Sequence, residues 1–179
     1  KKLNIACVIL ASGNSQRFNS SKSKLFYKVY GTPIIEITLK NITKYINKEC
    51  IYITIPKKIN KNEKKLLKKY TKNKLISGGN TRFNSLKKAL KNIDSSKYQN
   101  LMVHDAARPA VPRDIILKMI TCMYKQKYHC AVPASIVEDT LRKNNKTINR
   151  ENYKIYQTPQ LFNFKYFNNK VNKLKINPT

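Results

Sequence analysis

With 179 residues, 41% of them hydrophobic and 9% aromatic, the chain can build one domain with a real core, is too short for two comfortable ones, and is not disordered. No apolar run reaches the length that crosses a bilayer, and no signal-peptide cleavage pattern follows the short apolar segment 5–12, so a cytoplasmic location without a membrane partner is expected. Lys+Arg 37 against Asp+Glu 9 gives a net charge of +28, which on its own would point to a nucleic-acid or membrane partner.

The elements alternate along the chain. A β-branched run at 4–10 reads as the first strand. Thr32-Pro33 then reads as N-cap and first-turn proline of a helix through about Tyr45. Strand runs follow at 50–55, 74–77, 100–104 and 129–134, separated by three- and four-residue apolar spacing at 60–70, 81–93 and 113–125. This alternation implies an α/β fold, a mostly parallel sheet with helices on both faces, whose ligands bind beyond the carboxyl ends of the strands. Segment 136–157 is polar and carries the turn signal Lys143-Asn144-Asn145-Lys146, so a protruding hairpin is expected there. A last helix is expected over 163–174. The chain has no initial Met and no stop signal of its own in Ile176-Asn177-Pro178-Thr179, as expected of a piece of a longer protein.

The four cysteines, Cys7, Cys50, Cys122 and Cys130, form no CxxC pair and have no histidine at metal-ligand spacing. They read as buried thiols in a reducing compartment. Chemistry is instead marked by scarce residues. Of only four glycines, Gly13, Gly78 and Gly79 stand directly after expected strands, where positive φ or close backbone approach is required and where freed N–H groups can cradle phosphate; tight turns are the plainer alternative. The first loop is neither a Walker A sequence nor a GxGxxG fingerprint. It offers Arg17 and Lys24 across a Ser/Asn-rich stretch, two cations suited to charge development on a transferring phosphoryl group. Asp105 ends an apolar strand and can hold Mg²⁺ on a triphosphate or orient a hydroxyl, while Arg108 can grip a phosphate with its planar fork. Asp105 could equally cap the next turn and pair with Arg108. His104 reads as a packed or hydrogen-bonded histidine with no second ligand near it.

These loops resemble the 2-C-methyl-D-erythritol 4-phosphate cytidylyltransferases of the non-mevalonate isoprenoid pathway. The resemblance rests on Leu10-Ala11-Ser12-Gly13, Arg17 and Lys24, on Ser77-Gly78-Gly79-Asn80-Thr81-Arg82-Phe83-Asn84-Ser85-Leu86, and above all on VHDAARP at 103–109. Val132-Pro133-Ala134, Asp139-Thr140, Arg150 and Gln157-Thr158-Pro159-Gln160-Leu161-Phe162 extend it in order. It implies a Rossmann-like, nucleotide-diphospho-sugar transferase-like domain over 1–179 with a dimerisation arm at about 136–157. It implies CMP transfer from CTP to methylerythritol phosphate, with Mg²⁺ as cofactor and release of pyrophosphate. Ala11, Ser12, Gly13, Gly79, Asn80 and Ser85 would contact CTP; Arg17 and Lys24 would be catalytic, stabilising the α-phosphate. Asp105, Arg108, Thr140, Arg150 and Thr158 would bind the acceptor, Thr140 and Arg150 serving the neighbouring subunit of a homodimer, with Mg²⁺ near Asp105.

The chain departs from that pattern in several places. Ser12 stands where the family often has Ala, Leu25 where Gln is common, and Asn80 where an acid is usual. Family members continue past a Thr-Asp pair to a further catalytic lysine, and some are fused to a cyclodiphosphate synthase, so the C-terminal part of the family domain is expected to lie beyond Thr179. Two rivals exist. A ribitol-5-phosphate cytidylyltransferase would carry Ser-Val in place of Ala106-Ala107. A basic nucleic-acid-binding protein on the same fold rests only on the net charge. Against it, arginine is rare, lysine rises together with asparagine and isoleucine as in A/T-rich coding, and the lysines spread over helix faces at 57–69, 87–91 and 165–175.

Overall fold

The computed structural model describes residues 5–13, 23–126 and 128–174. In chain order the elements are β1 (Ala6–Leu10), β2 (Lys28–Val29), β3 (Thr32–Pro33), α1 (Ile34–Ile42), β4 (Ile51–Ile55), α2 (Lys61–Lys68), β5 (Ile76–Ser77), α3 (Arg82–Leu90) and β6 (Asn100–Asp105). They continue with α4 (Arg113–Gln126), β7 (Cys130–Ala131), β8 (Ala134–Ile136), β9 (Leu141–Lys143), β10 (Lys146–Ile148), β11 (Lys154–Tyr156), β12 (Gln160–Asn163) and α5 (Phe164–Lys173).

Six strands form one sheet in the order β5-β4-β1-β6-β12-β7. The first four are mutually parallel, and β12 runs antiparallel to both of its neighbours. Alternate side chains of each central strand enter opposite layers, as a pleated sheet covered on both faces demands. Cys7, Ile9, Ile51, Ile53 and Met102 pack with Ile35, Leu39 and Ile42 of α1, Leu67 of α2 and Ile116 and Met119 of α4. Ala6, Val8, Tyr52, Leu101 and Val103 pack with Leu86, Ala89 and Leu90 of α3 and with Phe164 and Val171 of α5. Fully burying an Ile or Leu side chain contributes roughly 1.5–3 kcal/mol, so the two layers hold the sheet ends in place without help from the loops. None of the helices among the described residues is long and apolar enough to cross a membrane. No disulfide joins the four cysteines. Cys7 and Cys50 are buried, whereas Cys122 is half-buried and Cys130 exposed, so the expectation of buried thiols holds for two of them.

Helix starts follow local chemistry. Asn60 accepts from the Glu63 N–H while Glu63 accepts from the Asn60 N–H, a complete capping box for α2. Thr81 caps α3 through the Asn84 N–H. The expected Thr32 cap is corrected. Tyr30 and Gly31 both take positive φ (46° and 76°) and turn β2 back onto β3, which commits Thr32 to pairing with Val29. The N-cap position of α1 passes to Pro33.

The strand expected over 129–134 divides in two. Pro133 has no N–H to give a ladder, so β7 stays in the main sheet while β8 leaves it. β8 pairs with β11, and beyond them β9 pairs with β10 through Asn144 and Asn145. Both asparagines have positive φ, 49° and 60°, as a two-residue type I′ hairpin requires. The expected hairpin is therefore present, starting two residues earlier than its predicted limit because Ala134 already pairs with Tyr156.

Candidate active site

The chain runs outward from β1 to β4 and β5 on one side and to β6 on the other, so strand order reverses between β1 and β6. Their carboxyl ends open the crevice where such sheets bind ligands. One wall is the loop leaving β1. The Ala11 N–H donates to Thr54 Oγ1 at 3.1 Å, tying the loop to buried β4. Thr54 Oγ1 also lies 3.4 Å from both the Ile9 carbonyl and Ser12 Oγ. The Ser12 hydroxyl donates across the crevice to Ser85 Oγ at 2.7 Å. Gly13 is exposed, and a Cβ there would meet nothing within 4 Å. Lys24 opens a short 3-10 turn, Lys24–Phe26, with its side chain exposed and in no ion pair or hydrogen bond with described residues. Arg17 lies outside the described residues.

The second wall is the loop from β5 into α3. Of the two reasons for glycine, close approach applies here and positive φ does not. A Cβ on Gly78 would sit 2.2 Å from Ser12 Cβ, and one on Gly79 would sit 2.5 Å from Asn84 Cβ and 2.9 Å from the Asn84 carbonyl carbon. The Gly78 N–H donates to the Ile55 carbonyl at 2.9 Å, and Lys88 Nζ donates to the Gly78 carbonyl at 3.0 Å. Ser85 is buried; its hydroxyl accepts from the Gly79 N–H at 3.0 Å and donates to the Thr81 carbonyl at 2.9 Å. Ser12, Ser85 and Gly79 thus make one hydrogen-bonded seam between the two loops, with Gly78 in close approach to Ser12. Asn80 is exposed beside them, its side chain in no hydrogen bond with described residues.

The third wall is the end of β6. Asp105 Oδ1 lies 3.1 Å from Arg82 Nε, and Oδ2 lies 3.5 Å from Arg108 Nε. Two guanidiniums around one carboxylate leave a local excess of one positive charge, which suits an anionic ligand. Arg108 also donates to Gln157 Oε1, and its own N–H donates to the Asp105 carbonyl at 3.1 Å. Thr158 accepts the Asp105 N–H at 3.3 Å and contacts His104 Nδ1 at 3.0 Å. His104 is a fully enclosed, hydrogen-bonded histidine, and burial holds its pKa below the ordinary histidine value. Asp105 pairing with Arg108 matches the structural alternative weighed for those two residues.

Arg82 escaped the sequence reading, although it stands inside the quoted glycine motif. It joins α3 to β6 and so links the glycine seam to the Asp105 cluster. Thr140 and Arg150 are not brought to this cluster. Both are exposed in the arm, where Arg150 donates to the Glu138 carbonyl. Among the described residues no group of three or more His, Cys, Asp or Glu could hold a metal ion.

The family model described as IspD, 2-C-methyl-D-erythritol 4-phosphate cytidylyltransferase, matches residues 5–177. An enzyme of that name from Clostridium botulinum is 35% identical over 178 residues, covering 94% of this chain and 76% of the relative. The bifunctional enzyme IspD/IspF of Pelagibacter ubique is 35% identical over 169 residues, covering 91% of this chain and 44% of the relative. Among solved structures, the bifunctional IspDF of Campylobacter jejuni superposes with a TM-score of 0.78 at 33% identity, covering 98% of this chain and 45% of that one. The 4-diphosphocytidyl-2C-methyl-D-erythritol synthase of Anaerococcus prevotii gives 0.79 at 26% identity, covering 98% and 78%. The chain spans less than half the length of the bifunctional relatives it matches.

Proposed function

Because the chain belongs to the 2-C-methyl-D-erythritol 4-phosphate cytidylyltransferase family, we propose that it transfers CMP from CTP to 2-C-methyl-D-erythritol 4-phosphate and releases pyrophosphate. A phosphate oxygen of the acceptor bonds to the α-phosphorus while the bond from that phosphorus to the bridging oxygen breaks, and pyrophosphate leaves with the electron pair. The protein supplies alignment and electrostatic stabilisation, with no covalent intermediate on the chain. The observation that carries this reading is the glycine seam meeting a net-positive Arg82–Asp105–Arg108 cluster at the switch point of the sheet.

In this reading Ala11, Ser12, Gly13, Gly79, Asn80 and Ser85 form the CTP side, and Arg17 and Lys24 stabilise charge on the α-phosphate. Asp105, Arg108 and Thr158 form the acceptor side. A magnesium ion is part of the proposal. Asp105 is the one carboxylate of the cluster and both its oxygens face guanidiniums, so such an ion would be held mainly by the triphosphate, with Asp105 as a protein ligand only on giving up an ion pair. Such an ion, when bound, would withdraw charge from the triphosphate.

Thr140 and Arg150 are proposed to complete the site of a second copy in a homodimer formed through the arm. The arm exposes Ile136, Tyr153, Ile155 and Tyr156, between 46% and 71% accessible, which supports a covering partner. Sedimentation velocity should find a dimer that dissociates on dilution, and a monomer at every concentration would rule this out. The reaction itself is tested by pyrophosphate release from CTP and Mg²⁺ with methylerythritol phosphate, with ribitol 5-phosphate, or with no acceptor. Release is expected with the first alone. Release with ribitol 5-phosphate instead would move the chain to the other acceptor, and release with neither would overturn the reading for this chain.

A further inference from the structure

We propose that His104 is a positioning residue of the acceptor side, fixing Arg108 and Thr158 through its two ring nitrogens; this rests on the cytidylyl-transfer reading above. The imidazole is fully enclosed, and its Nε2 lies 2.9 Å from the Arg108 carbonyl. A carbonyl oxygen only accepts, so Nε2 carries the ring proton.

The other ring nitrogen, Nδ1, lies 3.0 Å from the Thr158 hydroxyl. The Thr158 oxygen also takes the Asp105 N–H at 3.3 Å. The result is a hydrogen-bonded chain from the Asp105 N–H through Thr158 to His104 and on to the Arg108 carbonyl. His104 thus fixes groups beside the ligand without itself touching it.

The consequence for Arg108 is specific. Its carbonyl is held by His104, its N–H by the Asp105 carbonyl, and its guanidinium by Asp105 and Gln157. The residue that grips the acceptor's phosphate is thus set in place before the ligand arrives, which lowers the ordering cost of binding. Thr158 works as a strut between β6 and the segment entering β12. The loops after β1 and β5 share none of these bonds, and the triphosphate's ion is linked to them only through Asp105, so the effect of His104 should fall more on the acceptor than on CTP.

Two measurements test this. The chain has only two histidines, so the ring-nitrogen NMR spectrum of the unmodified protein contains two sets of signals, and His129→Gln identifies the other one. His104 should carry a proton on Nε2, hydrogen-bonded to the Arg108 carbonyl; a ring with Nε2 unprotonated overturns the proposal. His104→Gln keeps a donor where Nε2 stood and removes the hydrogen-bonding nitrogen Nδ1. It should raise the KM for methylerythritol phosphate roughly tenfold, as losing one such hydrogen bond implies, and leave the KM for CTP within about twofold. Equal shifts in both, or a shift in neither, overturn the proposal. An unmodified chain that shows the Nε2–H form yet turns over no acceptor overturns the transfer reading and supports the His104 arrangement.

Discussion

The Lys24→Ala protein should unfold at the same temperature as the unmodified one and lose on the order of 10²–10³-fold in kcat, the usual effect of removing one donor that stabilises developing charge. The two halves of that expectation come from different observations. Lys24 is exposed, and its ammonium makes no ion pair or hydrogen bond with described residues, so the fold loses nothing when it goes. Its neighbour Leu25 is buried in the core beneath α1, which anchors the short turn and gives the ammonium a fixed base. A cation that no described residue engages, on an anchored turn, is what an anionic transition state can recruit without first breaking a contact with them. Lys24→Arg keeps the charge and should recover part of the rate, since the guanidinium differs in reach and shape. Pyrophosphate release under saturating CTP and acceptor reads both variants. Turnover at the unmodified rate in Lys24→Ala would remove this lysine from the catalytic set, and a matching fall in unfolding temperature would make its role structural.

How much of this arrangement can be read from the chain depends on the range of the interactions. Elements set by neighbours in sequence are legible: the Asn60–Glu63 capping box, the Asn144-Asn145 turn, and the uninterrupted apolar runs of β1, β4 and β6. Thr32 misled because its alternative partner, Val29, is joined to it by a turn that relies on positive φ at a tyrosine as well as a glycine. Arg82 was passed over because its partner stands 23 residues away, although composition held a signal. Only six of the 37 cations are arginine, and a chain that prefers lysine should keep arginine where its planar fork is needed. Thr54 gave no signal at all, since a threonine within a β-branched strand looks like any other strand residue until its hydroxyl is seen to hold Ala11.

The close approach at the paired glycines was legible in the sequence but its partner, Ser12, was not, and that partner yields the second large effect. Gly78→Ala should cost about 1–3 kcal/mol of stability, because the added methyl overlaps Ser12 Cβ at 2.2 Å and Ser12 Oγ at 2.3 Å. Ser12 Cβ is bonded directly to the backbone, so it cannot swing away, and the two loops must part. Parting them breaks the Ser12–Ser85 hydrogen bond and shifts the Gly79 amide. A displacement of that size should lower kcat/KM for CTP on the order of 10²-fold. The cause can be isolated by a second change. Ser12→Gly removes both overlapping atoms, and the next nearest atom to the new methyl is Ser85 Oγ, at 3.1 Å. The Gly78→Ala, Ser12→Gly double variant should therefore regain most of the lost stability and part of the CTP activity, even though Ser12→Gly alone gives up the hydroxyl that joins the loops. If the double variant is no better than Gly78→Ala alone, in unfolding temperature and in kcat/KM, the paired glycines act by some means other than the close approach of these loops.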